Sequence, residues 1–404
     1  MSSDQTLPPP ETPTGAPHLT LPALFLKFLR FGCLAFGGPV SQIAMVRQAL
    51  VEEERWIDRT RFNRLLAVMQ VLPGPEAHEL CVHLGMVARG RIGGLLAGLG
   101  FMLPGFLLML ACGYLYEALV AGRTGLNGVL LGVQVAVLAV IARAVHRIGS
   151  HILVDRALVL LALVGFAATL AGVPFWGPLI AAAYAYAKPD KPVARAALAG
   201  LAVLAAYMLL PVEMPAPVAA TAGLHQATLV ALFVAGLKGG LLTFGGAYTA
   251  IPYVRADTVG RGWLGDGQFL DGVAFANVLP APLVIFATFA GYVAAGPLGA
   301  LAITLGMFLP AFAFSMVFFE RLEQVVDHPR LHRTLDGVAA AVVGIIAATL
   351  LQLGQATWLR VDNALFAVPV FLLAALAAWK LKGAWVAPLV LGVAGVAGWL
   401  ALGG

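Results

Sequence analysis

Charge is the scarcest commodity in this sequence. Of 404 residues, 11% are Asp, Glu, Lys or Arg, against roughly 25% in a soluble globular chain. Hydrophobic residues make up 60%, and mean hydropathy is +0.90. Such a chain cannot clothe a water-facing surface, which excludes a cytosolic enzyme and a disordered protein. Cysteine is nearly absent too. Cys33, Cys81 and Cys112 show no CxxC spacing and lie in apolar segments. They read as small hydrophobes, so neither a disulfide framework nor a zinc site is expected. No Walker sequence occurs, so ATP is not the expected driver. The net charge of +5 comes from basic residues spread between hydrophobic runs, which is not a nucleic-acid footprint. Residues 1–20 hold Asp4 and Glu11 but no Lys or Arg. They lack the positive opening of a secretory signal and are expected to form a flexible tail left in the cytoplasm.

What the chain has in excess is apolar length. Apolar segments lie near 22–46, 62–88, 92–116, 126–146, 153–172, 174–187, 193–210, 227–252, 268–294, 297–319, 335–356, 362–379 and 384–402. A membrane span needs about 20 such residues. An all-α integral membrane protein is therefore expected. With the N-terminus inside, the cytoplasmic loops collect more Lys and Arg than the external ones, Arg143 and Arg147 among them.

The chain also repeats itself. Phe36-Gly37-Gly38 recurs as Phe244-Gly245-Gly246, and Leu72-Pro73-Gly74-Pro75 as Leu279-Pro280-Ala281-Pro282. Gly85, Gly90 and Gly93 recur as Gly291, Gly296 and Gly299, and Leu103-Pro104 as Leu309-Pro310. The offset stays between 206 and 208 residues. This divides the chain into a tail (1–20), a first membrane repeat (21–190), a linking span and loop (191–226) and a second membrane repeat (227–404). Six spans per copy and one extra span between them set the second copy upside down, the inverted-repeat plan of secondary transporters. A parallel duplication is the alternative, in which 174–187 or 193–210 fails to cross.

Each copy is interrupted twice at matched places, by the Gly-Gly pair and by the Pro-x-Pro run. Proline removes a backbone donor and clashes with the preceding turn, and glycine frees the chain. Non-helical backbone at membrane depth survives only inside protein or beside a water-filled cavity. The breaks are therefore expected to line a cavity; paired kinks between packing helices are the bland alternative. Helices restarting after Gly38, Pro75, Gly246 and Pro282 would aim their N-termini inward, where free N–H groups and the dipole favour an anion. Candidate anion-binding residues are Gly37, Gly38, Pro39, Pro73, Gly74, Pro75, Gly245, Gly246, Pro280 and Pro282. Arg30 and Lys238 join them at matched positions, each seven residues before its Gly-Gly pair, unless they snorkel to the interface. Glu76, His78, Glu79 and His83 follow the first Pro-Gly-Pro and are candidates for proton coupling or gating, or for a structural polar network. The histidines stand five apart, which is wrong for a zinc-binding helix. The second copy has Leu283, Val284, Ile285 and Phe286 there instead. The charged stretch 47–64, with Trp56, reads as a solvated connecting helix or an interfacial gate.

In these residues the chain resembles the chromate ion transporter family, long two-domain type. The resemblance is carried by Phe36-Gly37-Gly38-Pro39, Leu72-Pro73-Gly74-Pro75-Glu76-Ala77, Phe244-Gly245-Gly246-Ala247-Tyr248, Leu103-Pro104 and Leu309-Pro310, and it covers nearly everything after residue 20. It implies a multi-pass inner-membrane exporter of chromate, with sulfate as structural analogue, giving chromate resistance. It implies no cofactor and no nucleic-acid partner; the bilayer is the surrounding, and a homodimer is compatible with it. Import of sulfate or another oxyanion, an anion channel, and an integral-membrane metalloenzyme using His78, Glu79 and His83 are the competing readings.

Overall fold

A computed structural model describes residues 19–69, 73–119, 126–188, 190–209, 227–243, 246–318, 329–361, 363–383 and 385–402. The described residues are helical, with no strand among them. In chain order the helices are α1 (Leu21–Cys33), α2 (Pro39–Arg47), α3 (Arg59–Met69), α4 (Glu76–Leu119), α5 (Asn127–Ile152), α6 (Arg156–Leu170), α7 (Trp176–Tyr186) and α8 (Pro192–Leu209). They continue with α9 (Leu229–Leu241), α10 (Ile251–Thr258), α11 (Asp266–Val278), α12 (Phe286–Ala313), α13 (Pro329–Val361), α14 (Ala364–Lys380) and α15 (Val386–Leu402). Short 3-10 turns, Ala247–Ala250 and Leu283–Ile285, precede α10 and α12.

Local chemistry sets the helix starts. The Thr20 hydroxyl accepts the Ala23 N–H at 3.4 Å, and the Thr228 hydroxyl accepts the Ala231 N–H at 3.2 Å. These caps satisfy donors that a bare helix end leaves open. The same signal thus opens α1 and α9, matched positions of the repeat. The breaks expected from glycine and proline are present. Residues 34–38 separate α1 from α2, with Gly37 at φ 86° and Gly38 at φ 81°. Only glycine adopts this region freely. The helices beside this break have 13 and 9 residues, too short to cross a bilayer singly.

Among the described residues, four helical stretches are long and apolar enough to cross a membrane: Glu76–Ala118, Asn127–Ile152, Leu283–Val317 and His332–Val361. Two of them are hairpins rather than rods. In α4 the helical path breaks at Arg89 (φ −144°, ψ 30°) and Gly90 (φ 61°, ψ −157°). In α12 it breaks at Ala295 (φ −157°, ψ 31°) and Gly296 (φ 64°, ψ −159°). The arms fold back into backbone contact. A Cβ on Gly85 would stand 2.5 Å from the Gly93 carbonyl oxygen, and one on Gly291 would stand 2.5 Å from that of Gly299. The repeated glycines thus serve two needs, a turn that other residues resist and a packing distance that a methyl group would block.

Packing crosses between the copies. Within them, α1 lies on α4 and α9 on α12. Across them, α5 packs on α14 and α15, while α13 packs on α6 and α7. The outer surface is strongly apolar: Leu365 is 92% exposed, Val230 74% and Leu400 73%. Such a surface suits lipid rather than water. The protein is a multi-pass helical membrane protein.

Candidate functional site

The four breaks meet in two crossed pairs. The Gly74 N–H of the first copy donates to the Thr243 carbonyl of the second at 2.9 Å. At the equivalent crossing a side chain does the bridging. Gln42 Nε2, buried, donates to the Ala35 carbonyl at 2.8 Å and to the Ala281 carbonyl at 2.9 Å. Broken backbone leaves carbonyls and amides without intrahelical partners, and in a membrane interior each needs one. These contacts supply them by tying each copy to the other.

Beside the Gln42 bridge lies a cavity of about 90 Å³. Its wall includes Gly37, Gly38 and Pro39 of the first break, Ala281 and Leu283 of the last, and Tyr248 and Asn277 of the second copy. Arg143 and Arg147 of α5 complete it. They stand four apart and so share one helix face. Among the described residues neither forms a salt bridge. The Tyr248 hydroxyl donates to Asn277 Oδ1 at 2.7 Å, and Asn277 Nδ2 donates to the Val273 carbonyl at 2.8 Å. The α2 N-terminus opens at Gly38 with no side-chain cap. The space is far below the 300–1,000 Å³ of pockets for drug-sized ligands. Arg143 is half-buried and Arg147 exposed; two guanidiniums without a salt bridge among the described residues, a phenol and an uncapped helix start suit a small oxyanion. A larger groove of about 720 Å³ between α5, α13 and α14 is lined by residues such as Leu138, Leu350, Trp358 and Phe371. No charged residue and no break residue lines it, so the smaller cavity is the chemically furnished one.

The other expected site residues fall as follows. Pro73, Gly74 and Pro75 are buried at the crossing with Thr243. Pro280 and Pro282 are buried on either side of Ala281. Gly246, at φ 130°, begins the Ala247–Ala250 turn, and Gly245 lies outside the described residues. Arg30 is exposed in the last turn of α1 and does not line the cavity. Lys238 does not line it either. Its Nζ lies 2.6 Å from Asp257 Oδ2 and 5.4 Å from the Phe175 ring centre, and Arg261 adds a second cation 3.2 Å from Asp257. Lys27 forms an ion pair with Glu54. Trp56 is 2% exposed, so the stretch 47–64 is folded onto the body rather than solvated throughout.

Glu79 and His78 are fully buried and His83 nearly so. The His78 ring stands edge-on to Phe308 and Phe312, with centroids 4.9 and 4.8 Å away. Glu76 is half-buried at the start of α4. Among the described residues no three His, Cys, Asp or Glu side chains gather closely enough to hold a metal ion.

Sequence reasoning missed Arg143 and Arg147 by assigning them to a cytoplasmic loop. The structure continues α5 past both to Ile152. The available signal was their spacing: two arginines one turn apart, with the apolar helix not yet capped.

The sequence profile of the family described as chromate transporter matches residues 22–187 and again residues 230–399. A chromate transport protein of Pseudomonas aeruginosa is 56% identical over 390 residues, covering 95% of this chain and 93% of that protein. A chromate transport protein of Cupriavidus metallidurans is 31% identical, covering 91% of this chain and 92% of its own length. A probable chromate transport protein of Synechococcus elongatus is also 31% identical, with 95% and 96% covered. No solved structure matches the chain. With both halves matched by one profile, and with relatives aligned over nearly their whole length, this chain belongs to the chromate transporter family.

Proposed function

We propose that the protein is a secondary transporter that exports chromate, or a closely similar tetrahedral dianion, by alternating access across the inner membrane, and so confers chromate resistance. The observation that carries this reading is the cavity at the first break, whose wall holds Arg143, half-buried, and Arg147, exposed, neither in a salt bridge among the described residues. The relatives' activity agrees with this chemistry, because chromate is a small doubly charged oxyanion.

The two copies are read as inverted six-span repeats, with α8 as the joining span and the N-terminus in the cytoplasm. Support comes from the matched turns at Gly90 and Gly296, the matched caps at Thr20 and Thr228, and the exchange of helices between copies. In this mechanism the crossed contacts, Gly74 to Thr243 and Gln42 to Ala35 and Ala281, are the joints across which one copy rocks on the other. The inside-negative potential drives export. Moving two charges through 100 mV amounts to about 4.6 kcal/mol.

Reconstitution tests direction and substrate together. Proteoliposomes with an imposed potential should move labelled chromate toward the positive side, with counter-chromate stimulating exchange. Transport of sulfate alone would make the protein a sulfate carrier. Flux without trans-stimulation would make it a channel.

A further inference from the structure

The polar lining of the small cavity is made mostly of donors. Arg143 and Arg147 offer guanidinium N–H groups and have no capacity to accept. The first N–H groups of α2, which opens at Gly38 with no side-chain cap, are donors too. Among the described residues no Asp or Glu lines the space. The other polar side chains of its wall, Tyr248 and Asn277, are bonded to each other.

That bond can run in only one direction. The amide of Asn277 reaches the Val273 carbonyl oxygen at 2.8 Å. A carbonyl only accepts, so the atom facing it is Nδ2, and Oδ1 is the atom left for Tyr248. An amide oxygen only accepts as well. The phenol therefore gives its one proton to Asn277, at 2.7 Å. Tyr248 Oη has lone pairs left and no hydrogen to give. Both partners of the bond belong to the wall, so an anion in this space meets several donors and one committed acceptor. A fully deprotonated tetrahedral oxyanion presents acceptors at every corner. It suits the guanidiniums and the α2 amides but sets an oxygen against the Tyr248 lone pairs. An oxyanion with one O–H satisfies both kinds of partner. Sites discriminate strongly through such a mismatch, because a polar group is left facing one of its own kind. Chromate takes its first proton close to neutral pH, whereas sulfate does so only in strong acid.

We propose that Tyr248, oriented by Asn277, is the specificity-determining acceptor of the cavity, and that the species it selects is an oxyanion bearing one hydrogen: hydrogen chromate in the proposed transport. This rests on the anion-site reading above and narrows it. The hydrogen is gained in solution, where one O–H bond forms on a chromate oxygen and no electron moves; no covalent bond is made or broken at the site. One negative charge then crosses instead of two. Asn277 acts only through Tyr248 and is a positioning residue.

Inorganic phosphate and sulfate isolate the hydrogen as a variable. In slightly alkaline buffer both are tetrahedral dianions, and only phosphate has an O–H. The test is competition of each against uptake of labelled chromate by proteoliposomes holding the full chain. Phosphate should inhibit roughly 10- to 100-fold more strongly than sulfate, the worth of one charged hydrogen bond. Tyr248→Phe keeps the ring, removes Oη, and should bring the two inhibition constants together. Asn277→Leu frees the phenol proton to turn toward the cavity, so sulfate should gain and phosphate lose. Damage to the fold would weaken both anions alike and leave their ratio where it was. Equal inhibition by the two anions, stronger inhibition by sulfate, or a ratio unmoved in both variants overturns the proposal, as does chromate uptake that neither anion inhibits. No chromate uptake by the unaltered protein would be a different result, removing the anion-site reading itself.

Discussion

Replacing Arg143 or Arg147 by Gln tests the cavity most directly. Both side chains border the same 90 Å³ space and neither has a carboxylate partner among the described residues. The full Coulomb attraction between one cation and a dianion about 4 Å away is roughly 8 kcal/mol at an effective dielectric of 20. That figure is a ceiling, because both ions lose hydration on meeting. A charged hydrogen bond measured by deletion is worth about 1.5–3 kcal/mol. At 1.4 kcal/mol per decade, each substitution should weaken chromate binding roughly 10- to 100-fold. Arg→Lys at either site should fall between, keeping the charge but losing the planar fork. The assay is initial-rate uptake of labelled chromate by proteoliposomes over a range of concentrations, at equal protein content. Arg59→Gln, an exposed partner of Glu52 remote from the cavity, serves as control and should leave KM unchanged. Native KM values in both cavity variants would refute the assignment of this cavity as the anion site.

Three further outcomes follow from the packing. Gln42→Leu strips the donor that serves two buried carbonyls, and should lower stability by about 1–3 kcal/mol, seen as an earlier thermal transition in detergent; an unmoved transition would mean that water replaces the amide. Gly90→Ala meets no atom within 4 Å but forces φ 61°, ψ −157° on a residue with a Cβ, so backbone strain alone should cost about 1–3 kcal/mol. Gly296→Ala should cost the same within error, and very unequal losses would argue against equivalent turns. Gly85→Ala drives a methyl group to within 2.4 Å of the Ala97 Cβ and 2.5 Å of the Gly93 carbonyl oxygen, so it should open the α4 hairpin and abolish transport; wild-type uptake at wild-type abundance would show that the arms can part.

Much of the architecture was readable before folding because its causes are local. Apolar runs longer than a water-soluble helix needs, and glycine with proline at four matched points, each act over a few residues. Even the hairpin glycines, Gly85 with Gly93 and Gly291 with Gly299, stood out through recurrence, although their purpose did not. Charges were harder. Counting Lys and Arg near apolar ends sorted Arg143 and Arg147 into a loop, because a window of sequence cannot see that α5 continues or what crosses it. Lys238 looked free for an anion until Asp257, on a separate helix, was found beside it.

Membrane residence, helical class, the duplicated plan and the places where helices break were dictated by the chain alone, since hydrophobic length and the backbone limits of glycine and proline do not depend on distant partners. The identity of the facing groups was left to the tertiary structure. Arg143 and Arg147 meet Tyr248 and Asn277 only because α5 packs among helices of the other copy, and Gln42 reaches Ala281 only across that same junction. Electrostatics acts between whatever side chains the fold brings within a few ångströms, and separation along the sequence does not reveal that distance.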